Sequence, residues 1–236
     1  MDNAAYTSVT RQSGLLAEMR TIANNIANAN TTGYRAEDII FAEYIHQAQA
    51  DRPLSLATAQ VRETILSQGT LERTGGTFDL AIEGDGFFLI QTPDGERLTR
   101  NGAFTPNENG DLVTHDGHAV LDQGGAPVFV PLGAGQVAIA PDGTISAGGQ
   151  PVGRIGLFQP DDMTTLVRED GVRFSSGTYT PVDTPQIIQG FVEESNVDPI
   201  IQVARMIEVQ RAYELGQSFL DQENERIRTA VKTLGQ

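Results

Sequence analysis

Two histidines placed around one tight turn are the residues in this sequence that most resemble a chemical site. His115 and His118 flank the dipeptide Asp116-Gly117. A zinc ion needs three or four protein ligands, and the third histidine, His46, lies far away in the sequence. Asp-Gly is also typical of a two-residue β-hairpin turn. We therefore interpret the pair as a hairpin with a histidine on each side, and we predict no metal site here.

Other short motifs in the sequence also indicate turns rather than catalysis. Residues 107–111 faintly resemble a calcium loop but lack its alternating carboxylates and its bidentate glutamate. Gly84-Asp85-Gly86 is interpreted as a turn, and the sequence contains no phosphate-binding or nucleophile-elbow motif. The chain has no cysteine, which excludes thiol catalysis and cysteine-ligated metals. We predict no catalytic residue, no cofactor and no metal, and hence a protein that is not an enzyme.

The overall charge of the chain restricts its partners. The 236 residues carry 31 acids against 16 bases, a formal net charge of −15, and the excess of acid lies in the middle of the chain. Such a charge disfavours binding to nucleic acid and to anionic membranes. No apolar run approaches the roughly 20 residues that a membrane span needs. The first residues lack the basic and apolar regions of a Sec signal. We expect no nucleic-acid partner and no direct membrane insertion.

The middle of the chain is rich in turn signals. Seven Asn-Gly or Asp-Gly pairs lie between residues 85 and 171. These pairs supply the positive φ angles that tight hairpins need. They predict many short antiparallel strands, among them Phe87–Gln91 and Gln186–Val192. Residues 78–195 are therefore predicted to form a β-rich domain.

Both ends of the chain lack these signals and have helical periodicity instead. In the N-terminal segment, apolar residues recur at spacings of four and three, at Leu15, Met19, Ile22, Ile26 and Ala29. In the C-terminal segment, residues recur at intervals of seven, at Met206, Tyr213, Leu220, Ile227 and Leu234. We call these five the first stripe. The second stripe, at the same interval, consists of Val203, Gln210, Gln217, Asn224 and Val231. Patterns this long are typical of coiled coils.

These patterns predict an α+β protein with three parts. The terminal helices, residues 1–35 and 196–236, are predicted to pair as a coiled coil and to form a core domain. Residues 78–195 form the β-rich domain, and residues 36–77 are predicted to be a connector. Neither helix has an evident partner within the β-rich part, so pairing of the two helices is the simplest way to bury their apolar faces.

Both predicted helices carry amide side chains where charged ones are usual. Amides can face water, but they also suit hydrogen bonds across packed helices. Since surface helices usually present Lys and Glu, we expect further protein partners, most simply copies of the same chain. The residues predicted to form subunit contacts are Leu15, Met19, Ile22, Asn24, Asn25, Ile26, Asn28, Asn30, Gly33, Asn196, Val203, Met206, Gln210, Tyr213, Gln217, Leu220, Asn224 and Ile227.

Five stretches of the sequence, taken in order, closely resemble the family of bacterial flagellar rod and hook proteins. They are residues 23–35, 78–88, 98–104, 189–198 and 210–214. The first stretch joins an Asn-rich helix end to a Thr-Gly-Tyr-Arg sequence, which is typical of the N-terminal signature of the family. Hook subunits are longer because they have an added outer domain. The start of the chain and its short connector are most similar to those of proximal rod proteins.

The resemblance implies a structural protein without enzymatic activity. Subunits of this family stack helically, with their terminal helices lining an inner tube and their β domains outside. The tube crosses the periplasm as the basal-body rod, transmits motor torque and carries the export channel. The implied partners are copies of the chain, other proximal and distal rod proteins, and the flagellar type III export apparatus, through which unfolded subunits pass.

One alternative function from a different class is compatible with the residues alone. A secreted carbohydrate- or metal-binding β protein with a helical stalk would have the same arrangement of elements. A purified monomer that binds a defined sugar or metal ion would favour this alternative. A monomer that elongates only on a rod-like assembly would favour the structural role.

Overall fold

The computed structural model describes residues 2–46, 54–131, 133 and 135–234. The chain divides into two compact units. The first unit contains Met1–Ala29, Ala36–Leu66 and Val197–Gln236, and the second contains Asn30–Arg35 and Ser67–Asn196. Each unit is therefore assembled from segments that are far apart in the sequence.

The first unit holds two long helices and a two-stranded hairpin. Helix α1 spans Asp2–Ala27, strand β1 Glu37–His46, strand β2 Leu54–Thr64 and helix α2 Pro199–Leu234. Helix α1 contacts α2 and both strands. Together with the strand-rich middle of the chain, this arrangement confirms the predicted α+β class.

Helix α2 begins at an aspartate cap. The Oδ1 atom of Asp198 accepts hydrogen bonds from the backbone N–H groups of Ile200 at 2.9 Å and Ile201 at 3.1 Å. Pro199 occupies the first helical position, where a backbone N–H is not needed. The helix then continues for 36 residues in all. It contains no further proline and only one glycine, Gly216, so no strong helix breaker interrupts it.

Helix α1 is shorter than the sequence pattern predicts. The prediction extends the N-terminal helix to residue 35, whereas α1 ends at Ala27 and residues 28–33 form turns. Asparagine is a poor helix former, and this region contains several. Gly33 has a φ of 71°, in the left-handed region that a helix does not use. The Asn-rich run therefore marks the end of the helix rather than its continuation.

The predicted connector, residues 36–77, contains the long hairpin β1–β2. The two strands pair antiparallel from Glu37 opposite Thr64, with a register shift between Ile40 and Phe41. A bulge of this kind moves the alternation of side chains by one residue. The sequence predicted a partly extended connector here and named neither strand, and the extra residue opposite Ile40 and Phe41 interrupts the alternation within β2.

The second unit is built from short antiparallel strands. They are Leu71–Arg73 (β3), Leu80–Ile82 (β4), Phe87–Thr92 (β5), Gly95–Thr99 (β6), Phe104–Pro106 (β7), Leu112–Thr114 (β8), Ala119–Val120 (β9), Val137–Ile139 (β10), Thr144–Ala147 (β11), Gln150–Arg154 (β12), Leu157–Pro160 (β13), Val167–Asp170 (β14), Arg173–Ser175 (β15), Tyr179–Pro181 (β16), Ile187–Gln189 (β17) and Phe191–Glu193 (β18). A 3₁₀ turn spans Met163–Thr165.

These strands form one large sheet and several small ones. The large sheet has the order β14-β15-β6-β5-β9-β8-β7, and β13 pairs with both β5 and β16. Strands β10, β11 and β12 form a three-stranded sheet, while β4 pairs with β17 and β3 with β18. The predicted single strand Gln186–Val192 is in fact two strands, because Gly190 adopts a φ of 78° between them.

The hydrophobic core of the second unit lies among these sheets. Leu80, Ile90 and Leu112 are fully buried within it. Phe88 and Phe104 meet edge to face, with ring centroids 5.1 Å apart. Aromatic pairs in this geometry stabilise a core beyond the area that they bury. These buried side chains hold the sheets of the second unit together.

Candidate functional site

One histidine of the predicted pair is engaged by an arginine. His115 is exposed, whereas the Nε2 atom of His118 lies 2.7 Å from Nη1 of Arg173. Since a guanidinium only donates hydrogen bonds, Nε2 of His118 is the acceptor in this contact. Among the described residues, no group of three or more histidine, aspartate or glutamate side chains could hold a metal ion.

The two helices of the first unit lie against each other in antiparallel order. Nδ2 of Asn25, near the end of α1, lies 3.5 Å from Oε1 of Gln202, near the start of α2. Earlier in α1, Gln12 lies beside Gly216 of α2, where an added Cβ atom would be 3.3 Å from Nε2 of Gln12. The small residue at position 216 thus allows the two helices to approach closely.

The face of α2 that meets α1 differs from the one that the sequence predicts. Its members share a regular spacing of three and four, and none of them is more than half exposed: Gln202, Arg205, Val209, Ala212 and Gly216. Ala212 and Gly216 line a groove together with Gln12 and Leu15 of α1. The contact face therefore has the spacing of a coiled-coil seam but consists largely of polar and small residues.

The two predicted stripes lie beside this face or away from it. In the first stripe, Met206, Tyr213 and Leu220 are half-buried and Ile227 is exposed, while the side chain of Leu234 lies outside the described residues. The whole second stripe is exposed, at Val203, Gln210, Gln217, Asn224 and Val231. Gly216 and Ala212 contribute to this packing through their small size rather than their apolar area, which hydrophobic periodicity does not detect. Contacts of the two stripes with another subunit stay a prediction.

A charged cluster fastens α2 to α1 and to β1. The guanidinium of Arg205 lies 3.0 Å from Oε1 of Glu18 and 2.9 Å from Oδ1 of Asp38. Burial alone would raise the pKa of Asp38, but hydrogen bonds from Arg205 and from the backbone of Ile39 hold it below its ordinary value. The bond to Asp38 in turn raises the pKa of Arg205, against the effect of its own burial. One guanidinium therefore joins three elements of the unit.

The sequence contained a signal for this cluster that hydrophobic periodicity does not detect. Glu18 follows Leu15 by three residues and precedes Ile22 by four. It therefore lies on the apolar face of α1, where an acid needs a basic partner. Glu18 is indeed buried, and Arg205 is that partner.

The predicted asparagines of the first helix fall into different environments. Asn25 is buried and hydrogen-bonded to the backbone of Glu37. Asn24 is exposed, and Nδ2 of Asn28 donates to its carbonyl oxygen at 2.9 Å. Asn30 is exposed and lies in the second unit. The structure therefore explains Asn25 within the chain and leaves Asn24 and Asn30 available at the surface.

Two further residues of the predicted set lie inside the second unit. The backbone N–H of Gly33 donates to the carbonyl oxygen of Glu193 at 2.7 Å. A Cβ atom at Gly33 would lie 2.3 Å from the backbone nitrogen of Asn101, so no larger residue fits. Nδ2 of Asn196 donates to the carbonyl oxygen of Ser67 at 2.9 Å. These residues have clear roles within the chain, and subunit contacts through them stay a prediction.

The apolar members of the predicted set on α1 are turned toward the first unit. Ile22 is buried, and Leu15, Met19 and Ile26 are half-buried. Their four-and-three spacing is that of a helix face packed against neighbouring elements. Contacts of these residues with another subunit also stay a prediction.

Three family models match successive parts of the chain. The model described as "Flagella basal body rod protein" matches residues 6–35. The model of the "Flagellar hook protein FlgE/F/G D1 domain" matches residues 81–147. The model of the "Flagellar basal body rod FlgEFG protein C-terminal" matches residues 188–233. The matched segments include the helices and part of the strand-rich middle.

Several curated proteins are similar to the chain along its whole length. The flagellar basal-body rod protein FlgF of Caulobacter vibrioides is 42% identical over 100% of this chain and 99% of its own length. FlgF of Mesorhizobium japonicum is 38% identical, with the same coverage. FlgG of Bacillus subtilis is 30% identical over 98% of both chains. Among the described residues, no helix combines the length and apolar character that crossing a membrane requires. The family models and the end-to-end similarity to rod proteins show that the chain belongs to the family of flagellar basal-body rod proteins, among its FlgF-type members.

Proposed function

We propose that this rod subunit polymerises helically through the exposed faces of its terminal helices. The observation that carries the proposal is the exposure of the second stripe of α2. Val203, Gln210, Gln217 and Asn224 are all exposed beside a helix face that already contacts α1. A stripe at an interval of seven stays on one side of a helix and can meet a second helix along its length. Helix α2 thus has one face for its own chain and another for a neighbour.

Exposed aliphatic side chains on α2 support the same proposal. Val203, Ile227 and Val231, which belong to the two stripes, are 47%, 41% and 66% exposed. Full burial of one such side chain stabilises an assembly by about 1.5–3 kcal/mol. Several on one helix exceed what an isolated surface helix needs, and their burial between subunits would contribute to polymerisation.

The finer features of the role follow from the family resemblance. We propose that α1 and α2 pair as a coiled coil and form the axial core that lines the tube, with the β-rich part outside. The chain would occupy the proximal rod, transmit torque and contact both copies of itself and neighbouring proximal and distal rod proteins. We further propose that it reaches the periplasmic rod unfolded, through the flagellar type III export apparatus.

A purely structural role needs no catalytic residue, cofactor or metal, and we propose that the chain is not an enzyme. The alternative of a secreted carbohydrate- or metal-binding protein is not supported. The relatives that match the chain from end to end are rod proteins. Their names describe a part of the flagellar basal body, and this location is the one that we assign to the chain.

The proposal is tested by an isosteric change in the second stripe. Gln217→Glu introduces a negative charge at an exposed position and should leave the monomer folded. In the rod it would place a charge where we expect amide contacts, so rods should be incomplete and swimming in soft agar strongly reduced. Gln222→Glu makes the same change about 140° around the helix, at another exposed residue, and should leave swimming intact. Equal swimming of the two variants, with intact rods in electron micrographs, would refute a contact role for the second stripe.

A further inference from the structure

The ends of the chain segments in the second unit are fastened to one another. This unit consists of residues 30–35 and 67–196, so its segment ends include Arg35, Ser67 and Asn196. Nη1 of Arg35 donates to the carbonyl oxygen of Ser67 at 2.8 Å. Nδ2 of Asn196 donates to the same oxygen at 2.9 Å, and its backbone N–H donates to the carbonyl oxygen of Tyr34 at 3.3 Å. Three of the four segment ends therefore meet at one place.

Glu193, at the end of β18, is the centre of these contacts. Its side chain is 0% exposed, and its Oε1 atom accepts hydrogen bonds from the backbone N–H of Gly69, at 2.9 Å, and from Arg35. Its Oε2 atom accepts from Nη1 of Arg100 at 3.2 Å. Its carbonyl oxygen accepts from Gly33. A single residue thus connects the short segment 30–35, the start of the long segment, and the end of β6.

The cluster contains two buried guanidiniums and one buried carboxylate. Arg35 and Arg100 are 1% and 4% exposed. Burial lowers the pKa of Arg100, the charge of Glu193 opposes this shift, and the charge of Arg35 adds to it. Without the carboxylate, two like charges would face each other in a nonaqueous environment. The electrostatic balance of the site therefore depends on Glu193.

A third arginine, Arg168, also contacts the short segment. The guanidinium of Arg168, on β14, lies 4.5 Å from the ring centroid of Tyr34 and 4.8 Å from that of Phe174. It also donates a hydrogen bond to the carbonyl oxygen of Arg35. Cation–π contacts of this kind are stronger when they are shielded from water. Both Arg168 and Glu193 therefore contact residues 33–35.

We infer that Glu193 is a positioning residue that latches segment 30–35 to the β-rich unit and fixes the places where the chain enters and leaves that unit. Buried ionic groups often stabilise a fold less than apolar residues would, but they can specify one arrangement of the chain. The contacts of Glu193 with Arg35 and Arg100 specify the arrangement of the chain in this way. The core built from Phe88, Phe104 and their neighbours holds the sheets together, while Glu193 determines where the segment ends lie.

The inference is tested by amide hydrogen exchange in the purified full-length chain. The reporters are the N–H groups of Gly33 and Asn196, whose acceptors are main-chain oxygens that every substitution retains. Faster exchange there reports release of the segment rather than loss of one side-chain acceptor. In Glu193→Gln, both should exchange at least about tenfold faster. The N–H groups of Leu121 and Val128, which donate within the core sheets, should change less than about threefold.

Glu169→Gln is the matched control. It removes the acid of the Arg97–Glu169 ion pair, which lies in the same unit but is partly exposed. The exchange of Gly33 and Asn196 should not change in this variant. Exchange in Glu193→Gln within about twofold of the parent at both reporters would overturn the inference.

A second variant keeps the test decisive if Glu193→Gln does not fold. Arg35→Met, Arg100→Met and Glu193→Leu together remove all three charges and leave an apolar cluster. This variant should fold and still show accelerated exchange at Gly33 and Asn196. Full protection of both reporters would show that the charges do not position the segment. Since exchange is measured in the monomer, its outcome is independent of whether the chain polymerises into a rod.

Discussion

Asn25 of helix α1 forms with Glu37 the two main-chain hydrogen bonds that a neighbouring strand residue would form. Its Nδ2 atom donates to the carbonyl oxygen of Glu37 at 2.8 Å, and the N–H of Glu37 donates to its Oδ1 atom at 3.0 Å. Asn25 is only 1% exposed. A side-chain amide therefore satisfies the backbone at the start of β1 and fixes this strand on α1.

Replacement of Asn25 by alanine should destabilise the first unit. Asn25→Ala removes two buried hydrogen bonds to the backbone of Glu37, which should lower the free energy of unfolding by about 1–3 kcal/mol. The higher helix propensity of alanine offsets only a part of this loss. Urea unfolding followed by the helical circular dichroism signal measures the change, because both long helices belong to this unit. Asn24→Ala, at an exposed position, is the control and should change stability by less than about 0.5 kcal/mol. Equal effects of the two substitutions would contradict the prediction.

Removal of the Arg205 charge should reduce the dependence of stability on acid pH. The pKa of Asp38 is lowered in the folded chain, so its contribution is present above the unfolded pKa, near 4, and is lost as the pH falls. In Arg205→Gln the hydrogen bond and the charge of Arg205 are absent, while the backbone hydrogen bond from Ile39 remains, so the lowering should be smaller. Since Asp38 and Arg205 are each about a third exposed, screening limits the loss at neutral pH to about 1 kcal/mol. Urea unfolding at pH 3 and pH 7 should show a smaller difference between the two pH values in the variant than in the parent.

The sequence predicted the long C-terminal helix well and the end of the N-terminal helix poorly. Helix α2 has no internal proline, and its periodicity continues to its last turn. The N-terminal pattern also continues, through Ile26 to Ala29, but the backbone leaves the helix at Ala27. Asn28 and Asn30 are poor helix formers and Gly33 adopts a left-handed conformation, and hydrophobic spacing detects neither property.

The candidate site was predictable in its elements but not in its contacts. Turn signals indicated the strand-rich middle. Arg35, Arg100 and Glu193 lie in three of the stretches that resemble the rod and hook family, but the sequence predicted no role for them. Their meeting joins residues that are far apart in the sequence, since Glu193 contacts both Arg35 and Arg100. A lone charged residue within an apolar stretch indicates a buried partner, but the sequence alone does not say which one.

Tyr179 should ionise at unusually high pH. Burial, and then the hydrogen bond to Glu96, raise the pKa of its phenol to about 12. In an alkaline titration followed by tyrosinate absorbance, Tyr179 should therefore contribute a step near pH 12. The neutral phenol is favoured in the folded chain, so its contribution to stability is present below pH 10 or so and is lost as the pH rises. Glu96→Gln should lower the pKa of this tyrosine, and an unchanged late titration would show that Glu96 is not a cause.

Two substitutions of Gly216 should separate two effects of this glycine. One is its low helix propensity, and the other is the space that it leaves for α1. Alanine is favoured over glycine in a helix interior by about 1 kcal/mol. Among the described residues, the three atoms nearest to an added Cβ atom all belong to the flexible Gln12 side chain, and the nearest of them is 3.3 Å away. Gly216→Ala should therefore raise the free energy of unfolding of the first unit by about 0.5–1 kcal/mol.

Gly216→Val is the matched variant that tests the packing itself. Its branched side chain cannot rotate away from α1 within a helix. It would force Gln12 and Leu15 aside, and we expect a loss of about 1–3 kcal/mol from overpacking. Urea unfolding monitored by circular dichroism at 222 nm or so compares both variants with the parent. If valine were tolerated as well as alanine, α1 would not lie against this face of α2, and the seam through Val209, Ala212 and Gly216 would be wrong.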